Sequence, residues 1–338
     1  MNETDFCSKG SSPLWLEAPR PHNPLISLVI PVFNERLAIL PFLHRLKALR
    51  EDLQLSFELL FVNDGSTDET LSLLMAQSSV DASIRIVDLS RNFGKEAALT
   101  AGLDVALGDV VIPIDVDLQD PPELIPELLA AWRLGFDVVL AVRSERKGDP
   151  WSRRFFAEFF YKIHNRIASP RLPEKAGDFR LMDRSVVEAI RRLPETHRFM
   201  KGLFAWAGFR TTAVSYERPQ RDQGESKFNG WRLWTFALEG VTSFSTVPLK
   251  IWTYIGLLVS LAAMIKGASI AFRVLIEGRD VPGYASLFVG ITFLGGLQLM
   301  GIGILGEYLG RNYIEAKRRP VYLIRRIYQA QPPKVHRP

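Results

Sequence analysis

Residues Ile112–Ile125 read IPIDVDLQDPPELI, an apolar run that ends in a pair of carboxylates. Val110, Val111, Ile112 and Ile114 form the core of a buried strand, and Asp115 and Asp117 stand at its end. Residues i and i+2 of an extended chain point to one side, so both carboxylates can face one ion. Oxygen ligands at a strand end suit a hard cation, Mg²⁺ or Mn²⁺, that keeps positions open for substrate phosphates. Gln119 offers a third oxygen. The same residues also serve a plainer purpose, because Asp115, Asp117 and Asp120 can start a turn and cap a helix at Pro121–Glu123.

Working outward, a second acidic turn follows an earlier apolar run. Phe57–Val62 (FELLFV) leads into Asn63, Asp64, Gly65, Ser66, Thr67 and Asp68. Gly65 permits a tight turn, and Ser66 or Thr67 can cap the next helix. Asp64 falls at the carboxyl end of a parallel strand, where open α/β sheets bind ligands, and its carboxylate can accept the N–H of a nucleobase. The first strand, Ile26–Ile30, runs into Pro31, Asn34 and Glu35. Three strand ends therefore bring acidic or amide groups to one crevice. Further strands are expected at Ile84–Leu89 and Asp137–Val142. Alternating strand-like and helix-like runs from Ile26 to about Phe244 give an α/β class with a mainly parallel sheet.

Five stretches now combine: IPVFNE (Ile30–Glu35), VNDGSTD (Val62–Asp68), RNFGKEAAL (Arg91–Leu99), DVDLQDPPE (Asp115–Glu123) and GDFRLMDR (Gly177–Arg184). Together they resemble the inverting glycosyltransferases of family two, and more narrowly the polyprenyl-phosphate sugar transferases, the group that includes dolichol-phosphate mannose synthases. SKFNGWRLW (Ser226–Trp234), SFSTVPLKIWTYIG (Ser243–Gly256) and GILGEYLGRNYIEAKRRP (Gly303–Pro320) are similar to the bactoprenol glucosyltransferase branch. The likeness spans Ile26 to Tyr328. One departure is Asn63, where many members carry a second aspartate; an amide can still bond a base or ribose.

The resemblance implies a nucleotide-sugar domain of GT-A type. It assigns Pro31, Glu35, Asp64, Asp115, Arg221 and Lys227 to the nucleotide sugar, and Asp115, Asp117 and Gln119 to the metal. Asp117 and Asp178 become the catalytic pair, with Asp178 as base or as a group that orients the acceptor. The Arg221–Lys227 loop resembles a phosphate-contacting loop, with Ser226 reaching phosphate oxygens. Arg143, Ser144, Arg146 and Arg153 follow the strand at 137–142 and suit an acceptor phosphate, since guanidinium forks match phosphate oxygens. Lys95 can contact substrate, and Arg180 can help hold a phosphate. Gly94 and Gly102 read first as turn and packing residues. The Phe155, Phe156, Phe159 and Phe160 cluster reads first as core.

The C-terminal third belongs in a bilayer. Tyr284–Gly306 holds no charged residue, and about 20 apolar residues span a membrane. The run Ile251–Phe272 is interrupted by Lys266, which costs about 2.5–3.5 kcal/mol at a bilayer centre unless it snorkels or packs against the second helix. Thr292, Gly296, Gly303, Gly306 and Gly310 make a small-residue face suited to close helix packing. Arg311, Lys317, Arg318, Arg319, Arg325 and Arg326 follow the second span, and this excess puts the tail and the catalytic domain in the cytoplasm. The expected organisation is a flexible tail at 1–24, a catalytic domain at 25–226 and an amphipathic interfacial helix at 227–246. Two spans within 247–306 (about 250–273 and 284–306) and a basic tail at 307–338 complete it. Trp231, Trp234, Leu238 and Val241 carry the apolar face of the interfacial helix.

The formal net charge is +5. The basic tail reads as a surface for anionic lipid, and no nucleic-acid-binding motif accompanies it. Cys7 is the single cysteine, which excludes an internal disulfide framework. The five histidines lack metal-ligand spacing. The expected activity is inverting transfer of a hexose, glucose from UDP-glucose, to undecaprenyl phosphate in the inner membrane, serving O-antigen modification, by a homo-oligomer. A processive polysaccharide synthase would carry Q-x-x-R-W and more spans; mannose, aminoarabinose or N-acetylhexosamine are alternative sugars. A nucleotide-sensing scaffold is the non-enzymatic alternative.

Overall fold

The computed structural model describes residues 20–143, 176–195, 198, 200–216, 247–277 and 283–329. Five strands and four helices alternate first: β1 Ile26–Val32, α1 Arg36–Leu53, β2 Phe57–Asn63, α2 Thr70–Val80, β3 Ile84–Leu89, α3 Lys95–Val105, β4 Val110–Pro113, α4 Ile125–Arg133 and β5 Val138–Arg143. There follow β6 Ala176–Asp183, α5 Arg184–Arg191, α6 Met200–Trp206 and β7 Thr211–Tyr216. Two long helices, α7 Val247–Glu277 and α8 Tyr284–Ala316, precede a last strand, β8 Ile324–Gln329.

The eight strands form one sheet in the order β7-β5-β6-β4-β1-β2-β3-β8. β1 is parallel to both β2 and β4, β2 to β3, and β5 to β7. β6 runs antiparallel between β4 and β5, and β8 antiparallel on β3. Chain order reverses at β1, between β4 and β2, and such a switch point opens a crevice at the carboxyl ends of the strands.

Alternation along each strand feeds two cores. Ile26, Leu28 and Ile30 pack with Phe42, Leu74 and Trp132 on the α1, α2 and α4 side. Val29, Leu60 and Val111 pack with Leu99, Val187 and Leu203 on the α3, α5 and α6 side. Strands buried on both faces read as continuous apolar runs, which is why FELLFV and VVIPI were legible. Gly102 lets α3 lie on β1, since a Cβ there would sit 2.2 Å from Val29 Cγ1.

Among the described residues one helix, Phe293–Ala316 within α8, is long and apolar enough to cross a membrane; Tyr254–Ile270 in α7 is a shorter apolar run. Both long helices leave apolar side chains uncovered, including Leu258, Ile265, Phe272, Ile291, Leu299 and Leu305. The small-residue face is corrected by the structure. Among the described residues nothing approaches Gly296, Gly303, Gly306 or Gly310, and the close contact falls at Gly301, whose Cβ would run into the Trp252 indole. A bulky aromatic on α7 needs a gap opposite, and Gly301 provides it. α8 also runs past 306 to Ala316, and Ile324–Gln329 returns to the sheet edge.

Candidate active site

The β1 and β2 ends are laced together. Asn34 takes a left-handed backbone, φ 55°, a conformation that Asn tolerates better than most residues. Its side-chain oxygen accepts the Thr67 and Asp68 N–H groups at 2.8 and 3.3 Å, and its own N–H donates to Ser66 Oγ at 3.0 Å. Ser66 and Thr67 therefore lock onto the neighbouring strand end instead of capping a helix. α2 starts only at Thr70, whose N–H donates to Asp68 at 3.0 Å.

Asp64, 3% exposed, accepts the Phe93 N–H at 2.7 Å and the Gly94 N–H at 2.9 Å. It braces the Arg91–Gly94 loop against β2. Burial pushes its carboxyl above the usual range, while those two N–H bonds and Arg91 pull it back. The close approach needs Gly65: φ is 68°, and a Cβ there would sit 2.4 Å from the Arg91 carbonyl carbon.

β4 ends at Pro113, and burial still alternates beyond it. Ile114 and Val116 are buried, at 2% and 3% exposure, while Asp115 is half-buried and Asp117 exposed on the open side. The Gln119 backbone N–H donates to Asp117 Oδ1 at 3.1 Å, and its amide nitrogen donates to Oδ2. Asp120 accepts the Tyr216 hydroxyl at 2.6 Å, tying the turn to β7.

Asp178 arrives on β6, one strand from β4. The Lys95 ammonium, at the first residue of α3, lies 2.8 Å from each Asp115 oxygen and 2.9 Å from Asp178 Oδ2. Burial works against its charge, yet Asp115 and Asp178 hold it well above the ordinary lysine range. Burial also pushes Asp115 up, with Lys95 opposing and Asp178 and Asp117 adding to the rise. The two directions agree: one cation serves several carboxylates, so the cation gains from all while each anion gets a share. Glu35 is raised too, by burial and then by Asp117, Asp115 and Asp68.

Behind Asp178, Arg180 is 2% exposed, its guanidinium 4.2 Å from the Phe204 ring centroid and donating to the Gly177 carbonyl at 2.6 Å. Burial lowers its pKa to about 10, with Asp178 and Glu96 opposing. It stays a cation at neutral pH, too deep to hold substrate phosphate directly. Glu96 also accepts the Met200 N–H at 3.2 Å, anchoring α6 to the α3 start.

The structure thus brings together Glu35, Asp64, Asp115, Asp117, Gln119 and Asp178 around the β1–β4 switch point. Pro31 lies in β1 opposite Val62 of β2, and Arg143 closes β5. Ser144, Arg146, Arg153, Arg221, Ser226 and Lys227, the phenylalanine cluster at 155–160 and the helix expected at 227–246 lie outside the described residues. The bridge made by Lys95 was not foreseen; its only signal was a lysine opening a helix after a glycine turn. Among the described residues no three His, Cys, Asp or Glu side chains form a metal cage. Two carboxylates beside an open crevice still fit Mg²⁺ or Mn²⁺, which take one or two carboxylates and fill remaining positions with water and phosphate. The charge excess around Glu35 points the same way.

A family model described as "Glycosyl transferase family 2" matches residues 27–191, β1 through α5. The prophage bactoprenol glucosyl transferase homolog of Escherichia coli (strain K12) is 53% identical over 302 residues, 89% of this chain and 99% of that relative. The chain belongs to glycosyl transferase family 2. Another relative, the bactoprenol glucosyl transferase of Shigella phage SfV, is 54% identical over 300 residues, 89% of this chain and 98% of its own. Among solved structures, glucosyl-3-phosphoglycerate synthase of Mycobacterium tuberculosis is 22% identical, with a TM-score of 0.45, covering 70% of this chain and 82% of the other. This family-2 chain is a glycosyltransferase of GT-A-like α/β fold, its sheet mostly parallel.

Proposed function

We propose that the protein transfers glucose from UDP-glucose to undecaprenyl phosphate, with inversion, at the cytoplasmic face of the inner membrane. The observation that carries this reading is the 53% identity to a chain named for bactoprenol glucosyl transfer, extending over 99% of that chain. The carboxylate-lined switch point and the uncovered apolar helices support it.

In this reading Pro31, Glu35 and Asp64 line the nucleoside end, and Asp115 and Asp117, with Gln119, hold Mg²⁺ or Mn²⁺. When bound, the metal supplies charge neutralisation at the departing diphosphate. Lys95 adds a second positive charge at the same place and keeps Asp115 and Asp178 in register. An acceptor phosphate has a second pKa near ~6, so most of it is dianionic at neutral pH. One of its oxygens attacks C1 of the glucose as the bond from C1 to the UDP oxygen breaks, turning an α-linked donor into a β-linked lipid phosphosugar. Asp178 takes the proton of the residual monoanion and orients the acceptor. Arg143, Ser144, Arg146 and Arg153 hold the acceptor phosphate, and Arg221, Ser226 and Lys227 the donor phosphates.

α7 and α8 form the membrane hairpin, following the amphipathic helix at 227–246, with both termini and the catalytic domain cytoplasmic. The lipid product serves cell-envelope glycan modification. The test is a radiolabel transfer assay over a panel of nucleotide sugars, with undecaprenyl phosphate and undecaprenol as acceptors. UDP-glucose and the phosphate should give the dominant product. Equal transfer to undecaprenol, or preference for another sugar, overturns the corresponding half of the proposal.

A further inference from the structure

We propose that the strand following the membrane helix is a positioning element for the donor, with Arg325 as its positioning residue. The proposal rests on reading the β1–β2 crevice as the nucleotide site. β8 pairs with β3 so that Asp88 stands opposite Arg326 and Leu89 opposite Ile324, with a register shift between them. Arg325 is therefore the extra residue of a bulge, a device that re-aims a side chain. Its Nη1 lies 3.5 Å from Asp88 Oδ2, and its Nη2 donates to the Ser90 carbonyl at 2.7 Å.

Both contacts bear on the site. Asp88 is 1% exposed, and its other oxygen accepts the Asn63 amide at 2.7 Å, at the residue just before Asp64. A buried carboxylate needs a counter-charge, and among the described residues Arg325 is the cation that approaches Oδ2. Ser90 is pinned twice, since its N–H also donates to the Leu323 carbonyl at 2.9 Å. Ser90 opens the loop whose Phe93 and Gly94 N–H groups hold Asp64. A further tie runs from the Tyr322 hydroxyl to Asp104 at 2.7 Å, on the helix that begins with Lys95. A segment that leaves α8 thus grips both the donor loop and the helix carrying the bridging lysine. Arg325 is 58% exposed but Asp88 only 1%, so removing the arginine leaves a buried carboxylate short of counter-charge, and the loss is felt first where Asp88 and Ser90 order the loop.

The experiment uses the full chain in nanodiscs. Arg325→Ala should speed hydrogen exchange at the Phe93 and Gly94 amides about fivefold, as expected of a local opening. It should raise the UDP-glucose KM about tenfold, the worth of one charge-assisted hydrogen bond, with kcat within about twofold. Arg325→Lys, which can pair with Asp88 but lacks the fork, should recover part of both changes. Tyr322→Phe should shift both readouts in the same direction, and serves if Arg325→Ala does not fold. Unchanged exchange at Phe93 and Gly94 overturns the positioning role. Faster exchange with an unchanged KM, or a fall in kcat alone, overturns its link to the donor. A wild-type protein that does not use UDP-glucose overturns the donor reading, while the exchange arm still decides whether Arg325 holds the loop.

Discussion

Asp115, just past the end of β4, and Asp178, on β6, share a single cation, the ammonium of Lys95, at 2.8 and 2.9 Å. In the proposed reaction the bridge joins the strand end assigned to the donor diphosphate to the residue assigned to the acceptor. Its removal should therefore damage chemistry far more than folding. Lys95 is 46% exposed, and ion pairs open to solvent are worth about 0–1 kcal/mol. Lys95→Met is expected to lower kcat by ~10²-fold or more, the scale of losing one charge-stabilising group. Its thermal midpoint should stay close to wild type. Single-turnover transfer and a thermal melt of one preparation check this; near-normal turnover would remove Lys95 from the chemistry.

Asp178 and Asp117 should fail differently. General-base assistance is worth ~10²–10⁴-fold, whereas Asp117→Ala removes a ligand of the metal that would neutralise the diphosphate and should abolish transfer. Asp178→Asn should be severe but incomplete. Raising the pH toward ~8 enlarges the acceptor's dianion fraction and should restore part of the rate. Initial rates against pH at saturating donor give the answer. A deficit that does not change with pH would make Asp178 a positioning group alone.

Glu35 offers a test of the electrostatics that does not depend on turnover. Its folded-state pKa is raised, by burial first and then by Asp117, Asp115 and Asp68. A raised carboxyl binds its proton more tightly when folded, so stability falls as pH climbs from the ordinary carboxylate range through the raised value. Glu35→Gln removes that loss. Without divalent metal it should melt higher than wild type at neutral pH, by no more than ~4 °C. The difference should vanish below pH ~4, where both states are protonated. Melts across pH in excess chelator measure it; a variant that melts lower at neutral pH would contradict the assignment.

The parts of this molecule that sequence could reveal are those fixed by local pattern. FELLFV and the Ile84–Leu89 run are largely apolar because α1 and α2 cover one face and α3 the other, and both strands fall where the runs do. The acidic residues at their ends follow from strand termination. What stayed hidden depends on contacts between distant segments. Lys95 and Asp178 meet only because β6 inserts antiparallel beside β4. β8 reads IRRIYQ, mostly exposed and carrying two arginines, so its charge suggested a lipid-facing tail. Its partner, β3, accepts it through backbone bonds that no side-chain pattern announces. The helix contact fell at Gly301 because Trp252 chose it, and one glycine in a glycine-rich run cannot be singled out without its partner.

Inverting transfer to a lipid phosphate is most directly tested by the configuration of the product's anomeric carbon. Wild-type enzyme, UDP-glucose labelled with ¹³C at C1 and undecaprenyl phosphate should yield one new anomeric signal, coupled to phosphorus and with the proton coupling of a β-glucosyl phosphate. An α-glucosyl phosphate, a signal without phosphorus coupling, or free glucose alone would contradict a single displacement by the acceptor's own phosphate.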